Sequence, residues 1–210
     1  MKIQDSADEP PLEGSEVLAR SPLTELVQDA FVFGAARQTL TRQYLRHKSA
    51  VGILAVNDAD QILLVRQYRH PVRAHLWEIP TGLLDSEGES MLQTAQRELA
   101  EEADLSAESW HTLVDFFTTP GISDEAMRVY LARDLHAVPM NERHIREDEE
   151  AEFEFAWITF EEALQAVMSG VIRNPATVTG LLALHAVRTG AGKLRDPTSP
   201  WPLHPRSISP

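Results

Sequence analysis

Runs of alternating apolar and polar residues occupy the first quarter of the chain and predict β-strands. Ala50–Val56 is instead almost continuously apolar, which is typical of a central strand buried on both faces. The three runs before it have no helix to pack against, and three strands alone form a marginal unit. We therefore expect this segment to pack on a second copy of the chain, as a homodimer. Its predicted strands are Glu16–Ala19, Leu26–Phe33 and Gln38–Leu45.

A helical pattern begins near Ser90. Leu92, Ala95 and Leu99 recur three and four residues apart and mark a buried helix face. Ser90 and Gln93 have the spacing of a capping box, which predicts the start of this helix. The order of strands and helices predicts an α+β fold with a mixed sheet sandwiched between helices. The other predicted elements are strands at 61–65, 110–117, 127–131 and 153–157, a polar loop at 134–150, and helices at 160–168 and 175–187.

Four segments follow from these patterns. Residues 1–14 are polar and read as a flexible tail, and residues 15–47 form the N-terminal β extension. Residues 48–189 hold the main domain. Residues 190–210 are rich in proline and little periodic, so they either lie over the fold or are disordered.

Composition excludes several kinds of protein. The 210 residues include no cysteine, so disulfides and thiolate metal sites are excluded. A formal net charge of −13 argues against a nucleic-acid partner. No apolar run is long enough to span a membrane, no signal peptide is visible, and a cytoplasmic location is the default expectation.

Carboxylates crowd the second half of the predicted helix. Glu98 and Glu102 are four residues apart and project together, with Glu101 beside them. Like charges at this spacing destabilise a helix by a few tenths of a kcal/mol, so a bound hard cation such as Mg²⁺ would offset them. Such a short charged sequence, taken alone, is more often a solvated helix face.

The longer pattern resembles the signature of the Nudix hydrolases. Gly82, Glu89 and then Arg97-Glu98-Leu99-Ala100-Glu101-Glu102 follow its order. Six residues, rather than the signature's five, separate Gly82 from Glu89, and Asp104 stands where the signature has its last glycine. The extra residue falls in the loop before the helix, and aspartate tolerates the left-handed conformation that a helix end requires.

Three further features are similar to the bacterial ADP-ribose pyrophosphatases of that family. They are the sequences Gln67–Gly82 and Thr119–Glu125 on either side of the helix, and the strand extension before it. The resemblance implies an α/β/α sandwich and Mg²⁺-dependent hydrolysis of ADP-ribose to AMP and ribose 5-phosphate, with Mn²⁺ a possible substitute. Two alternatives stay open: another nucleoside diphosphate derivative as substrate, such as a sugar nucleotide or NADH, and a module that senses ADP-ribose without cleaving it.

The resemblance also implies roles within the signature. Glu98 and Glu102 are the expected metal ligands, with help from Glu101 and the Thr81 carbonyl. Glu102 also counts as catalytic, because it would hold the cation that takes part in the reaction. Gly82, Glu89 and Arg97 are expected to be structural, Glu89 as the partner of Arg97.

A glutamate on the predicted long loop is expected to act as the general base. In relatives this residue lies just ahead of the last strand, so its position relative to Phe153 favours Glu150 first and Glu149 second. A glutamate beside cations is ionised at neutral pH, as a base must be. The acidic run 147–154 could equally serve only solubility.

Substrate contacts are expected from six residues outside the signature, each with an alternative. Arg69 would hold phosphate bidentately, or be an ordinary surface arginine. Glu78 would hold a ribose hydroxyl, or bond Arg69 or Arg73. The resemblance implies that Phe31 and Tyr44 sandwich the adenine, with membership of the core as the alternative, and Ser123 and Glu125 are expected near the terminal ribose.

Overall fold

The computed structural model describes residues 3–146 and 151–205, which form two compact units. The first unit comprises the described parts of Met1–Ser49, Phe117–Ala126 and Pro200–Pro210, and the second comprises those of Ala50–Phe116 and Met127–Ser199.

A three-stranded antiparallel sheet forms the first unit. Its strands are β1 (Leu12–Arg20), β2 (Thr24–Phe33) and β3 (Gln38–His47), in spatial order β1-β2-β3. All three predicted strands are present, and β1 starts at Leu12, four residues before the predicted Glu16, because Leu12 already pairs with Phe31. Residues 122–124 extend the sheet, since the Leu45 N–H donates to the Ile122 carbonyl over 2.8 Å.

Two sheets lie in the second unit. Their strands are β4 (Ala50–Ala55), β5 (Gln61–Arg69), β6 (Ala74–Glu78), β7 (Thr81–Leu83), β8 (Leu105–Phe117), β9 (Ala126–Ala137) and β10 (Glu154–Thr159). A four-stranded sheet has the order β7-β4-β9-β8, and it is mixed because β4 is parallel to β9 and antiparallel to β7. A three-stranded antiparallel sheet has the order β10-β5-β6.

Helices cover both faces of the mixed sheet, as the predicted fold class requires. They are α1 (Met91–Ala103), α2 (Phe160–Met168) and α3 (Pro175–Arg188). Alternate residues of β4 point to opposite faces: Val51 and Ile53 share a buried cluster with Leu99 of α1, whereas Leu54 shares one with Leu181 of α3. The α+β prediction is therefore confirmed.

The ends of α1 match the sequence in detail. Ser90 accepts a hydrogen bond from the Gln93 N–H, and the Gln93 side chain accepts one from the Ser90 N–H, which completes the predicted capping box. Asp104 ends the helix in the left-handed region, with φ 54° and ψ 34°. Aspartate thus takes the conformation for which glycine was expected.

The proline-rich segment after α3 packs against the second unit along residues 193–199. Thr112 and Arg195 exchange backbone hydrogen bonds of 3.0 and 3.1 Å, and the Tyr130 hydroxyl donates to the Pro197 carbonyl over 3.3 Å. Of the two possibilities left open by the sequence, the described part of this segment follows the first and lies over the fold. Within the described chain, no helix combines the length and apolar character needed to cross a bilayer.

Candidate active site

Gly82 of β7 makes room for Glu98 of α1. A Cβ atom built on Gly82 would collide with the Glu98 side chain at its Cγ, Cδ and Oε1 atoms. The backbone at Gly82 has no positive φ, so this glycine is required by the close approach of Glu98 and not by its own conformation. The packing fixes where the Glu98 carboxylate lies.

Glu102 lies one turn after Glu98 and is held against the same strand. Its side chain is buried, with 7% of the residue exposed, and Oε2 accepts the Thr81 N–H over 3.0 Å. A buried carboxylate is costly unless it is paired or bound to a cation. Strand β7 and α1 therefore hold both predicted metal ligands in defined positions.

Arg97 forms hydrogen bonds to Glu98 and to the other two carboxylates of the signature, Glu89 and Glu101. Its Nη1 donates to Glu98 Oε1 over 2.7 Å and to Glu101 Oε2 over 2.9 Å, while Nε and Nη2 each lie 3.2 Å from Glu89 oxygens. The structure thus contains the Glu89–Arg97 pair that the sequence predicts. The Thr94 hydroxyl also donates to Glu89 over 3.0 Å, a contact that the signature does not predict.

Burial raises the pKa of Glu98 to about 7, even though Arg97 favours its charged form. The nearby charges of Glu101 and Asp85 act in the same direction as burial. A carboxyl group with this pKa takes up a proton near neutral pH when no cation is present. The site is therefore short of positive charge, and a bound cation would supply it.

The Glu98 pKa leads to a stability prediction for the metal-free protein. The pKa of Glu98 is about 7 in the folded protein and 4.5 ordinarily, so the folded protein holds this proton more tightly than the unfolded chain. The free energy of unfolding therefore decreases as the pH rises from 4.5 to about 7. Glu98→Gln cannot ionise, so we expect it to raise the free energy of unfolding by about 2 kcal/mol at pH 8 and to change it little at pH 5.

Chemical denaturation in EDTA at the two pH values measures this difference. Glu87→Gln, a matched change at an exposed position in the loop before α1, should be neutral at both. An equal effect of Glu98→Gln at pH 5 and pH 8 would show that burial does not control this group.

The donor set suits a hard divalent cation. Glu98 and Glu102 offer carboxylate oxygens, and the hydrogen bond from the Thr81 N–H to Glu102 brings the Thr81 backbone next to them. The Thr81 carbonyl as a ligand stays a prediction. Among the described residues, no group of three Asp, Glu, His or Cys side chains is arranged so that it could hold a metal ion. Mg²⁺ is commonly held by one or two carboxylates, with water and substrate phosphate completing its coordination, so the residues present fit this mode of binding.

Arg69, the last residue of β5, and Glu78, the last residue of β6, form a bidentate pair. Nε donates to Oε1 over 2.9 Å and Nη2 to Oε2 over 2.7 Å, and Glu78 is fully buried. Arg69 is therefore the partner of Glu78 in the structure, which is one of the alternatives that the sequence left open. The Arg69 side chain is 42% exposed. If Arg69 binds phosphate as predicted, it must do so through N–H groups other than the two that Glu78 accepts.

The remaining predicted substrate residues lie in the first unit. Tyr44 donates to Asp29 over 3.2 Å and lies in the wall of a cavity of about 580 Å³. Phe31 is half-buried and stacks edge-on against Phe33. Their role in binding adenine stays a prediction.

Ser123 and Glu125 belong to the loop that extends the first sheet. The Ser123 hydroxyl accepts the Glu125 N–H over 3.0 Å, and Glu125 accepts the Thr118 hydroxyl over 2.5 Å. These contacts are internal to the loop. The predicted bases Glu149 and Glu150 lie outside the described residues.

Comparisons with known proteins agree with this geometry. Residues 46–175 match the family model described as NUDIX domain. An ADP-ribose pyrophosphatase from Mycobacterium tuberculosis is 43% identical over 81% of this chain and 81% of its own length. An ADP-ribose pyrophosphatase from Bacillus subtilis is 38% identical over 65% of this chain and 71% of its own.

A solved structure shares the fold. The crystal structure of an ADP compounds hydrolase superposes with a TM-score of 0.71 at 23% identity, covering 90% of this chain and 99% of that one. The range of the family match contains Gly82 and the carboxylates of α1, and hydrolases of this type generally need divalent metal ions. The chain therefore belongs to the Nudix hydrolase family.

Proposed function

We propose that this protein hydrolyses the pyrophosphate bond of ADP-ribose to AMP and ribose 5-phosphate, with Mg²⁺ as its cofactor. The observation that carries the proposal is the paired placement of Glu98 over Gly82 and Glu102 against Thr81, on one face of α1. The substrate is supported by the ADP-ribose pyrophosphatases to which most of the chain is similar.

The chain's own residues would act on the pyrophosphate in a defined way. Glu98 and Glu102 would hold the cation, with Glu101 near them and the Thr81 carbonyl completing the protein's ligands. When bound, Mg²⁺ neutralises charge on the phosphate oxygens and makes the phosphorus more open to attack, and Mn²⁺ could substitute for it. Arg97 keeps Glu98 in place through its 2.7 Å hydrogen bond.

Water would attack one phosphorus, and the bond from that phosphorus to the bridging oxygen would break. A base must take the proton of the attacking water, and Glu150, or else Glu149, stays our prediction for that role. Arg69 is predicted to hold phosphate, Phe31 and Tyr44 to contact the adenine, and Ser123 and Glu125 to approach the terminal ribose.

We also propose that the protein is a homodimer that associates through its N-terminal β extension and acts in the cytoplasm. Leu12, Leu23 and Phe33 of the first unit are each more than half exposed, which supports association through this unit. Sedimentation at micromolar concentration tests the proposal, and a monomer there would contradict it.

A substrate panel tests the activity. ADP-ribose, NADH, sugar nucleotides and dinucleoside polyphosphates are incubated with the protein in Mg²⁺, Mn²⁺ or EDTA, and products are separated by chromatography. We expect the highest kcat/KM for ADP-ribose, AMP and ribose 5-phosphate as products, and no turnover in EDTA. A higher kcat/KM for a sugar nucleotide would show that ADP-ribose is not the preferred substrate. Tight binding of ADP-ribose without turnover in either metal would favour the sensing module.

A further inference from the structure

Asp104 occupies a position that is unfavourable for aspartate. It adopts a left-handed conformation that glycine adopts more readily. Its carboxylate lies at the negative end of the α1 dipole and only two residues after Glu102. Its Oδ1 atom is buried without a hydrogen-bond partner among the described residues. Something nearby must offset these costs.

Arg146 is the partner that does so. Its Nη2 donates to Asp104 Oδ2 over 2.6 Å, and its Nε donates to the Glu101 carbonyl over 3.2 Å. The guanidinium carbon lies 5.2 Å from the centre of the Phe155 ring on β10. One side chain thus joins the end of α1 to the strand after the loop.

Asp104 also binds the start of the same connection. Its carbonyl accepts the Val138 N–H over 2.8 Å, and Arg143 Nη1 lies 3.8 Å from its carboxylate. Residues 138–146, the first described stretch of the connection between β9 and β10, are therefore attached to the end of α1 at both of their ends.

We propose that Asp104 and Arg146 are positioning residues for the hydrolytic site, holding the β9–β10 connection on the turn of α1 that carries Glu101 and Glu102. The inference rests on the proposed function. A glycine would end α1 at lower cost, and what the carboxylate adds is the bond to Arg146. In the sequence Arg146 directly precedes the acidic run in which the general base is predicted, and the bond to Asp104 fixes the position of Arg146 itself.

Steady-state kinetics on ADP-ribose with Mg²⁺ test the proposal for Asp104→Gly, Arg146→Ala and the double variant. Asp104→Gly should keep or raise Tm, because the left-handed residue becomes glycine, yet kcat should fall about 10- to 100-fold with KM changed less than about threefold. A purely structural role would lower Tm and leave kcat unchanged. Arg146→Ala should match this loss in kcat, and the double variant should add little to it.

Arg146→Lys provides the conservative comparison. Lysine keeps the charge but cannot donate to Asp104 and the Glu101 carbonyl with a planar fork, so only partial recovery of kcat over Arg146→Ala is expected. Arg173→Ala, the same change at an exposed arginine of the second unit, should behave like the wild type. Multiplicative losses in the double variant, or wild-type kcat in Asp104→Gly, would overturn the proposal.

Hydrogen–deuterium exchange gives a readout that needs neither metal nor substrate. Amides in residues 138–146 should exchange faster in both single variants than in the wild type. If the wild type does not hydrolyse ADP-ribose, the proposed function fails while this measurement still tests the anchoring contact. Unchanged exchange in both variants would overturn the anchoring itself.

Discussion

Glu102→Gln is expected to lower kcat for ADP-ribose about 1,000-fold while the protein stays folded. The amide oxygen of glutamine can still accept the Thr81 N–H, which Glu102 Oε2 accepts over 3.0 Å in the wild type. What is lost is the negative charge that would hold the cation. A catalytic cation contributes several kcal/mol to transition-state stabilisation, and each 1.4 kcal/mol is about tenfold in rate.

Glu101→Gln is the matched control on the same turn. Its side chain is 36% exposed and hydrogen-bonded to Arg97, so its loss should cost about tenfold or less. Isothermal titration with Mn²⁺ should show weaker binding in Glu102→Gln than in Glu101→Gln. Comparable kcat values for the two variants would mean that the cation does not act at the buried carboxylate.

Gly82→Ala approaches the same site from the other side. Its new methyl group would occupy the space of the Glu98 carboxyl group, so Glu98 must move although its chemistry is unchanged. We expect a loss of activity without loss of the Glu102 contact. Gly14→Ala is a suitable control because a Cβ there meets no atom within 4 Å.

The sequence predicts the local features of the fold well because neighbouring residues determine them. The capping box at Ser90 and the left-handed end at Asp104 depend on contacts within a few residues. The opposite case is the turn Asn57–Asp60. Its chemistry is visible, yet β4 and β5 on either side lie in different sheets, because β4 pairs with β9 more than 70 residues later.

The predicted loop at 134–150 shows the same limit. Strand β9 continues through Ala137, with Asp134 in a left-handed conformation at φ 54°. Leu135 packs against the cluster beneath α1, and that long-range contact outweighs the polar local sequence. The prediction of a loop is therefore wrong for residues 134–137.

The candidate site divides in the same way. Spacing along α1 predicted that Glu98 and Glu102 project together, and the family resemblance implied the Glu89–Arg97 pair; the structure has both arrangements. The role of Glu98 and Glu102 as metal ligands stays a prediction. The choice of Arg69 over Arg73 as partner of Glu78 depends on the pairing of β5 with β6, which spacing does not determine. The Asp104–Arg146 contact joins residues 42 apart, so no local pattern could reveal it.

Asp115→Asn is expected to cost about 3 kcal/mol of stability, the largest loss among the single changes considered. Asp115 accepts from Arg128 Nε over 2.7 Å and Nη2 over 2.9 Å, and Arg128 is only 3% exposed. Burial lowers the pKa of Arg128, but the hydrogen bonds and charge of Asp115 outweigh it and raise the pKa on balance. Removing the negative partner leaves a buried charge uncompensated, which is strongly destabilising.

Asp60→Asn provides the exposed counterpart of the same kind of pair. Asp60 binds Arg188 through two hydrogen bonds, but half of its side chain is exposed, so its loss should cost less than about 1 kcal/mol. Urea denaturation of both variants gives the comparison. Replacing Asp115 and Arg128 together by Leu and Met should recover much of the stability, because the cost arises from the unpaired charge and not from the lost attraction. Equal costs for Asp115→Asn and Asp60→Asn would show instead that burial of Arg128 is not what makes its pair important.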